Sequence, residues 1–145
     1  GIEVQGKNGK RRIKATDFFT GLFSTALQEN EIIIAVRIPV PAEGTKTTYQ
    51  KFSQPASRFA IAGCAVMRFP DGKINISFTG VGDTPFRDTG AENAVSEKNI
   101  NNDSIAAAVN SALSGVNILS DHFASEEYRR HLAKVYLKKA LQAVA

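Results

Sequence analysis

The residues of this chain most open to a chemical reading are its two histidines, its single cysteine, a Gly-Val-Gly turn and an Arg/Glu pair. His122 and His131 stand without a cysteine or carboxylate cluster at metal-ligand spacing, and no serine pairs with either in a hydrolytic arrangement. They read as surface or helix-face residues, so no catalytic residue and no metal site is expected. Cys64 falls inside the apolar run 60–66, where a thiol is a small buried hydrophobe rather than a nucleophile. As the sole cysteine it closes no internal disulfide, which suits a reducing cytoplasm. Gly80-Val81-Gly82 runs into Asp83 and Pro85, with no further glycine opening a helix, so it fails as a dinucleotide or phosphate cradle. Glycine here ends a strand where the backbone turns sharply or packs closely. Arg87 and Glu92 are spaced to tie that turn to the following helix by a charge-assisted bond. On these residues alone the chain is not a self-contained enzyme.

The elements that must position these groups are legible in the pattern. Residues 1–13 read as two short strands around Gly6-Lys7-Asn8-Gly9, a hairpin too small to stand alone and therefore part of a sheet completed elsewhere. With strand-like residues directly after Gly1, the chain is read as a C-terminal piece of a longer polypeptide. Thr16 or Asp17 can cap a short helical turn holding Phe18, Phe19 and Leu22. Residues 31–39 (EIIIAVRIP) form a β-branched strand closed by prolines, and residues 47–54 a second, carrying Tyr49 and Phe52. Residues 59–69 and 73–80 are a hairpin about Pro70-Asp71-Gly72-Lys73, with Ile74, Ile76 and Phe78 on one face.

Beyond Gly82 the apolar period changes from 2 to 3.6. A short helix fits residues 88–98. A second, capped by Asn102 and stopped near Gly115, sets Ile105, Val109, Ala112, Leu113 and Val116 on one face. A third begins at Ser125, whose hydroxyl can cap it, with Glu126 and Glu127 at the positive end of its dipole. Its expected apolar stripe is Tyr128, Leu132, Val135, Tyr136 and Ala140, and its expected basic face is Arg129, Arg130, Lys134, Lys138 and Lys139. Strands followed by helices imply an α+β fold: an antiparallel sheet of three to four strands packed against a layer of three helices. The sheet is expected to be built from residues 31–80.

With 145 residues, 43% of them hydrophobic, the chain has enough apolar material for one ordinary core. The net charge of +4 is mild and dispersed; only Lys10, Arg11, Arg12 and Lys14 cluster, without interleaved aromatics, which argues against nucleic acid. There is no apolar stretch near membrane-spanning length and no secretory signal.

Several motifs recur in one order. The stretch FTGVGDTPFRDTGAE (78–92) is followed by Ser125-x-x-Tyr128-Arg129-Arg130-x-Leu132-Ala133. Upstream lie Asp17-Phe18-Phe19-Thr20-Gly21, Thr25-Ala26-Leu27, Glu31-Ile32-Ile33, and Tyr49-x-Lys51 ahead of Arg58. Together they resemble the C-terminal domain of the FAD-binding medium subunit of the molybdenum hydroxylases, a group that includes carbon monoxide dehydrogenase and xanthine dehydrogenase. The resemblance covers nearly the whole chain. It implies residues 1–30 as the tail of the preceding FAD-binding domain and junction, and 31–145 as the flavoprotein C-terminal domain.

The resemblance also implies a task. FAD takes electrons from a 2Fe-2S small subunit, supplied by a molybdopterin large subunit, and passes them to an external acceptor; protein supplies position and electrostatics. The glycine-rich loops that mainly hold FAD belong to the family's N-terminal half and are absent here, so this domain would add a wall near the isoalloxazine. Ile33 matches an apolar position that packs on the flavin, though a β-branched run can equally be strand core. Where relatives often carry a lysine, this chain has Ser53; Lys51, two residues earlier on the same strand face, would stand in for it. A cation there would stabilise negative charge on reduced flavin. The expected cofactor-binding residues are thus Ile33, Lys51 and Ser53. The other readings are a docking module whose basic face Arg129, Arg130, Lys134 and Lys138 meets an acidic partner, and an unrelated small-molecule-binding α+β domain.

Overall fold

The computed structural model describes residues 1–95 and 99–145, so the end of the expected helix 88–98 lies outside the described residues. The chain divides into two compact units, Gly1–Pro41 and Ala42–Ala145. The division falls later than the expected boundary at 30/31. Residues 32–36 pair with residues 2–5 and so belong to the first unit.

In the first unit, β1 (Ile2–Gly6) and β2 (Gly9–Ile13) form the expected hairpin, with Gly6 opposite Gly9. A 3-10 turn (Ala15–Asp17) follows without a side-chain cap, so neither Thr16 nor Asp17 takes the expected capping role. Phe19 enters the short strand β3 (Phe19–Gly21), paired with β4 (Ser24–Thr25). The run EIIIAVRIP supplies β5 (Ile32–Val36), which pairs antiparallel with β1 and gives the order β2-β1-β5. Contrary to the expectation of one sheet from residues 31–80, this β-branched run does not join the later sheet. Val4, Ile13 and Phe18 make the small core.

One polar junction organises this unit. Arg11 donates from Nε and Nη2 to the two Glu31 oxygens, both at 2.7 Å, and Gln28 N–H adds a third bond at 2.7 Å. The Arg11 fork first, and the Gln28 amide second, pull the Glu31 carboxyl down to about 2. Its contribution to stability is present above the ordinary glutamate range and is lost as pH falls toward 2. Urea denaturation of wild type and Glu31→Gln should thus show a constant stability difference above pH 5 that closes between about 4.5 and 2. A difference that persists at pH 2 would contradict the assignment.

The second unit contains the larger core. β6 (Lys46–Ser53), β7 (Ala60–Arg68), β8 (Ile74–Thr79) and β9 (Phe86–Arg87) form one antiparallel sheet in sequence order. The hairpin around residues 70–73 is as expected. The two-residue strand β9 lies in a stretch read from sequence only as a turn. The helices are α1 (Thr89–Val95), α2 (Asn102–Ser111) and α3 (Glu126–Ala143). α3 packs on β6 and β7, α1 on β8, and α2 on the other two helices. Cys64, Val66, Ile74, Ile76 and Phe78 are essentially sealed beneath that layer, each large apolar side chain stabilising the fold by about 1.5–3 kcal/mol. This is the expected α+β class, with β9 rather than residues 31–39 as the fourth strand.

Capping shows where local chemistry prevails. Ser125 Oγ accepts Tyr128 N–H at 3.2 Å at the start of α3. α2 is capped one residue earlier than expected, by Asn101, whose Oδ1 accepts from Asp103 and Ser104 N–H at 3.0 Å in a reciprocal capping box. α2 also stops at Ser111, ahead of Gly115. Leu113 adopts a left-handed φ of 65°, and the buried Asp88 carboxylate accepts its N–H at 2.7 Å while accepting Ala91 N–H at 2.9 Å.

The register of α3 differs from the expected stripe. Arg129, Leu132, Ala133, Leu137, Ala140 and Leu141 are buried, while Tyr128 is largely exposed. Arg129 thereby leaves the expected basic face and enters the core side. Arg130 pairs with Glu126 at 3.0 Å, leaving Lys138 and Lys139 as the exposed cations of the helix's second half. Among the described residues no helix is long and apolar enough to cross a membrane.

Candidate functional site

The three expected cofactor-binding residues fall in both units. Ile33 lies in β5 opposite Val4, and 46% of its surface is exposed, so in this chain it is not strand core. Lys51 and Ser53 close β6. Phe52 between them turns toward α3, where its ring meets Tyr128 and Tyr136 at 6.3 Å. By strand alternation Tyr49 and Lys51 stand on the sheet's other, open face.

That face is built around a missing side chain. Gly63 is the register partner of Lys51, and a Cβ on it would lie 2.6 Å from Tyr49 Oη and 3.0 Å from Thr79 Cγ2. The Tyr49 side chain therefore reaches across β7 over Gly63, while half of Tyr49 remains exposed. Partial burial pushes its hydroxyl pKa upward. Tyr49 was legible as a strand residue but not as part of a site. The available signal was a glycine inside an apolar strand, which marks a close approach.

The loop from β6 to β7 is locked by its own groups. Gln54 N–H donates to Phe59 C=O at 2.8 Å, Arg58 N–H to Gln54 C=O at 2.9 Å, and Ser57 N–H and Oγ to the Gln54 side chain. Arg58 holds a left-handed φ of 63°, and its carbonyl accepts Lys51 Nζ at 2.9 Å. The ammonium of Lys51 is thus held at the β6–β7 loop. Ser53 pairs with Ala60, and Phe52 with Ala62, so Ile61 is an extra residue bulged out of β7.

The remaining polar residues serve the frame. The Arg87–Glu92 tie expected from the sequence is present: Arg87 Nε and Nη2 donate to Glu92 at 2.9 and 2.6 Å, and Glu92 Oε1 also accepts the buried Ile76 N–H at 2.8 Å. Arg129, read from the sequence as a solvent-facing cation, is almost fully buried and donates to the carbonyls of Ile61, Gly80 and Leu119. No local pattern announces this, because its acceptors come from three separate segments. His122 and His131 are exposed, His122 lying against the Phe123 ring.

Cys64 is sealed in the core, and burial first, with Asp88 second, pushes its thiol up to about 12. The folded chain should leave an aromatic disulfide reagent unreacted at pH 8 for hours and consume one equivalent once unfolded in urea. Rapid reaction of the folded chain would contradict the burial.

The same framework occurs in known proteins. Residues 47–144 match the CO dehydrogenase flavoprotein C-terminal domain, and residues 1–41 match the FAD binding domain in molybdopterin dehydrogenase. The gap between the two matches spans the division between the compact units. The chain is 31% identical to the carbon monoxide dehydrogenase medium chain of Hydrogenophaga pseudoflava, over 97% of this chain and 50% of that protein. It is 34% identical to the glyceraldehyde dehydrogenase medium chain of Sulfolobus acidocaldarius, over 99% and 52% respectively. A solved carbon monoxide dehydrogenase from Hydrogenophaga pseudoflava, lacking the Mo-pyranopterin moiety of its molybdenum cofactor, matches with a TM-score of 0.90 and 33% identity over 99% of this chain and 51% of that one. The chain spans about half the length of the relatives it matches. Since the sheet, the helical layer and most of the second unit fall inside the matched region, the chain belongs to the CO dehydrogenase flavoprotein C-terminal domain family, whose relatives here include the medium chains of carbon monoxide and glyceraldehyde dehydrogenases.

Proposed function

We propose that this chain is part of an FAD-holding subunit of a molybdopterin-dependent hydroxylase, an oxidoreductase complex in which electrons pass from a 2Fe-2S subunit to FAD and on to an external acceptor. Bound FAD would supply the electron-transfer chemistry, and this chain's residues would supply a surface for it. The observation that carries the reading is the open sheet face, where the half-exposed Tyr49 side chain lies over side-chain-free Gly63, the register partner of Lys51. An exposed aromatic side chain and a lysine on the same strand face suit a planar, electron-accepting ring system.

In this reading the second unit offers the Tyr49 ring; Ile33, in the first unit, is proposed separately as an exposed apolar contact. Lys51 lends positive charge where negative charge develops on reduction, and Ser53 contributes a hydroxyl. The partners are a 2Fe-2S small subunit and a molybdopterin large subunit. With Arg129 buried and Arg130 paired to Glu126, the basic face invoked for a docking-only role is depleted.

Isolation of the intact subunit carrying this chain, with its partners, tests the proposal. FAD, iron and molybdenum should co-purify with it, and Lys51→Met should lower the flavin midpoint potential because a stabilising cation is lost. A colourless subunit that binds no FAD would sink the reading.

A further inference from the structure

Arg129 links three segments that the sequence shows only as separate motifs. Its side chain is 4% exposed, and a buried charge is tolerated only when paired and hydrogen-bonded. Nη1 donates to Ile61 C=O and, at 2.8 Å, to Gly80 C=O; Nε donates to Leu119 C=O at 3.0 Å; Nη2 lies 2.8 Å from Asp121 Oδ2. The planar guanidinium hydrogen-bonds the three carbonyls at once while Nη2 meets the Asp121 charge, which a lysine ammonium on its flexible stem does not reproduce.

The position of those acceptors matters. Ile61 is the extra residue of the β7 bulge, and bulges re-aim the chain next to them. Gly80 packs against the same bulge so closely that a Cβ on it would stand 2.4 Å from Ala60 O and 3.1 Å from Ile61 O. The bulge is the root of the Gln54–Phe59 loop, closed by the Gln54–Phe59 backbone bond. That loop presents the Arg58 carbonyl that holds Lys51 Nζ.

We propose that Arg129 is a positioning residue for the Lys51 ammonium: by gripping Ile61 and Gly80 it sets the bulge, the bulge sets the loop, and the loop sets Lys51. Its functional consequence rests on the reading that Lys51 faces the flavin. Arg129 itself touches no cofactor.

Two readouts on the intact flavin-loaded subunit test this. The first is trypsin cleavage after the exposed Arg58, compared with cleavage after Lys73 in the turn between β7 and β8. Arg129→Lys should accelerate Arg58 cleavage by about tenfold or more, as the loop opens more often, and leave Lys73 cleavage unchanged. The second is the flavin midpoint potential. Lys51→Met and Arg129→Lys should each lower it, and the double variant should fall no further than Lys51→Met alone. Unchanged Arg58 cleavage, equal acceleration at both sites, or additive potential shifts would overturn the proposal. Accelerated Arg58 cleavage with a silent Lys51→Met counts for the Arg129 linkage and against the flavin reading. If Arg129→Lys does not accumulate, Asp121→Asn weakens the same grip more gently and should move both readouts in the same directions by smaller factors. Asp121→Asn with neither readout moved would also overturn it.

Discussion

Gly80→Ala should destabilise the Ala42–Ala145 unit by roughly 3–5 kcal/mol, whereas Gly115→Ala should cost only about 1 kcal/mol. Both glycines hold a left-handed φ of 71°, so the backbone strain of adding a Cβ is similar at the two sites. The surroundings differ. At Gly115 an added Cβ meets nothing within 4 Å, but at Gly80 it meets the Ala60 carbonyl oxygen at 2.4 Å. That oxygen belongs to backbone next to the β7 bulge, which Arg129 grips, so it has little room to retreat. Urea denaturation of the two variants separates strain from clash. Equal losses of stability would show that conformation alone, not the close approach, demands glycine at position 80.

Glu92→Ala is expected to cost about 3–4 kcal/mol, while Glu92→Gln should cost about 1–2. Glu92 is 5% exposed, and its carboxylate closes the ladder where β9 ends. One oxygen accepts the Ile76 N–H, and both accept from Arg87, whose Nη2 also reaches Asn75 Oδ1 at 2.8 Å. Alanine strands a buried amide and leaves the guanidinium without its counter-charge. Glutamine keeps one acceptor oxygen for Ile76 but gives up the bidentate pair. Arg87→Met should cost less than Glu92→Ala, because Arg87 is half-exposed and the Ile76 bond survives its loss. Chemical denaturation of the three variants tests the order. A Glu92→Ala cost below that of Arg87→Met would refute the role assigned to the Ile76 amide.

Much of the second unit was readable because its information is local. The β7–β8 hairpin followed from strict alternation in KINISFTG and from Pro70-Asp71-Gly72-Lys73, and the Ser125 cap from residue type alone. The Arg87–Glu92 tie needed only short spacing across a turn. The candidate site was readable in part. Motif order drew attention to Ile33, Lys51 and Ser53, but Tyr49 became part of the site only once register placed Gly63 beneath it.

The misplaced strand has a different cause. A β-branched run such as Ile32-Ile33-Ile34 announces a strand but not its neighbour, since the same residues suit any sheet. Pairing with β1, some thirty residues earlier, is a tertiary choice, and it moved the boundary between the units to Pro41/Ala42. The short β9 escaped notice because two residues carry no period.

Residue type and spacing by themselves determined that this chain forms an antiparallel sheet covered by helices, where its main turns fall, and which motifs stand in which order. They could not determine which face of α3 is inside. By pattern alone Arg129 is a cation on a solvated helix face, and Tyr128 belongs to the apolar stripe. Only the tertiary structure brings the carbonyls of Ile61, Gly80 and Leu119 to one point, and that convergence makes burying an arginine favourable there. Acceptors so far apart along the chain leave no local trace, because their hydrogen-bonding capacity is a property of where the backbone ends up.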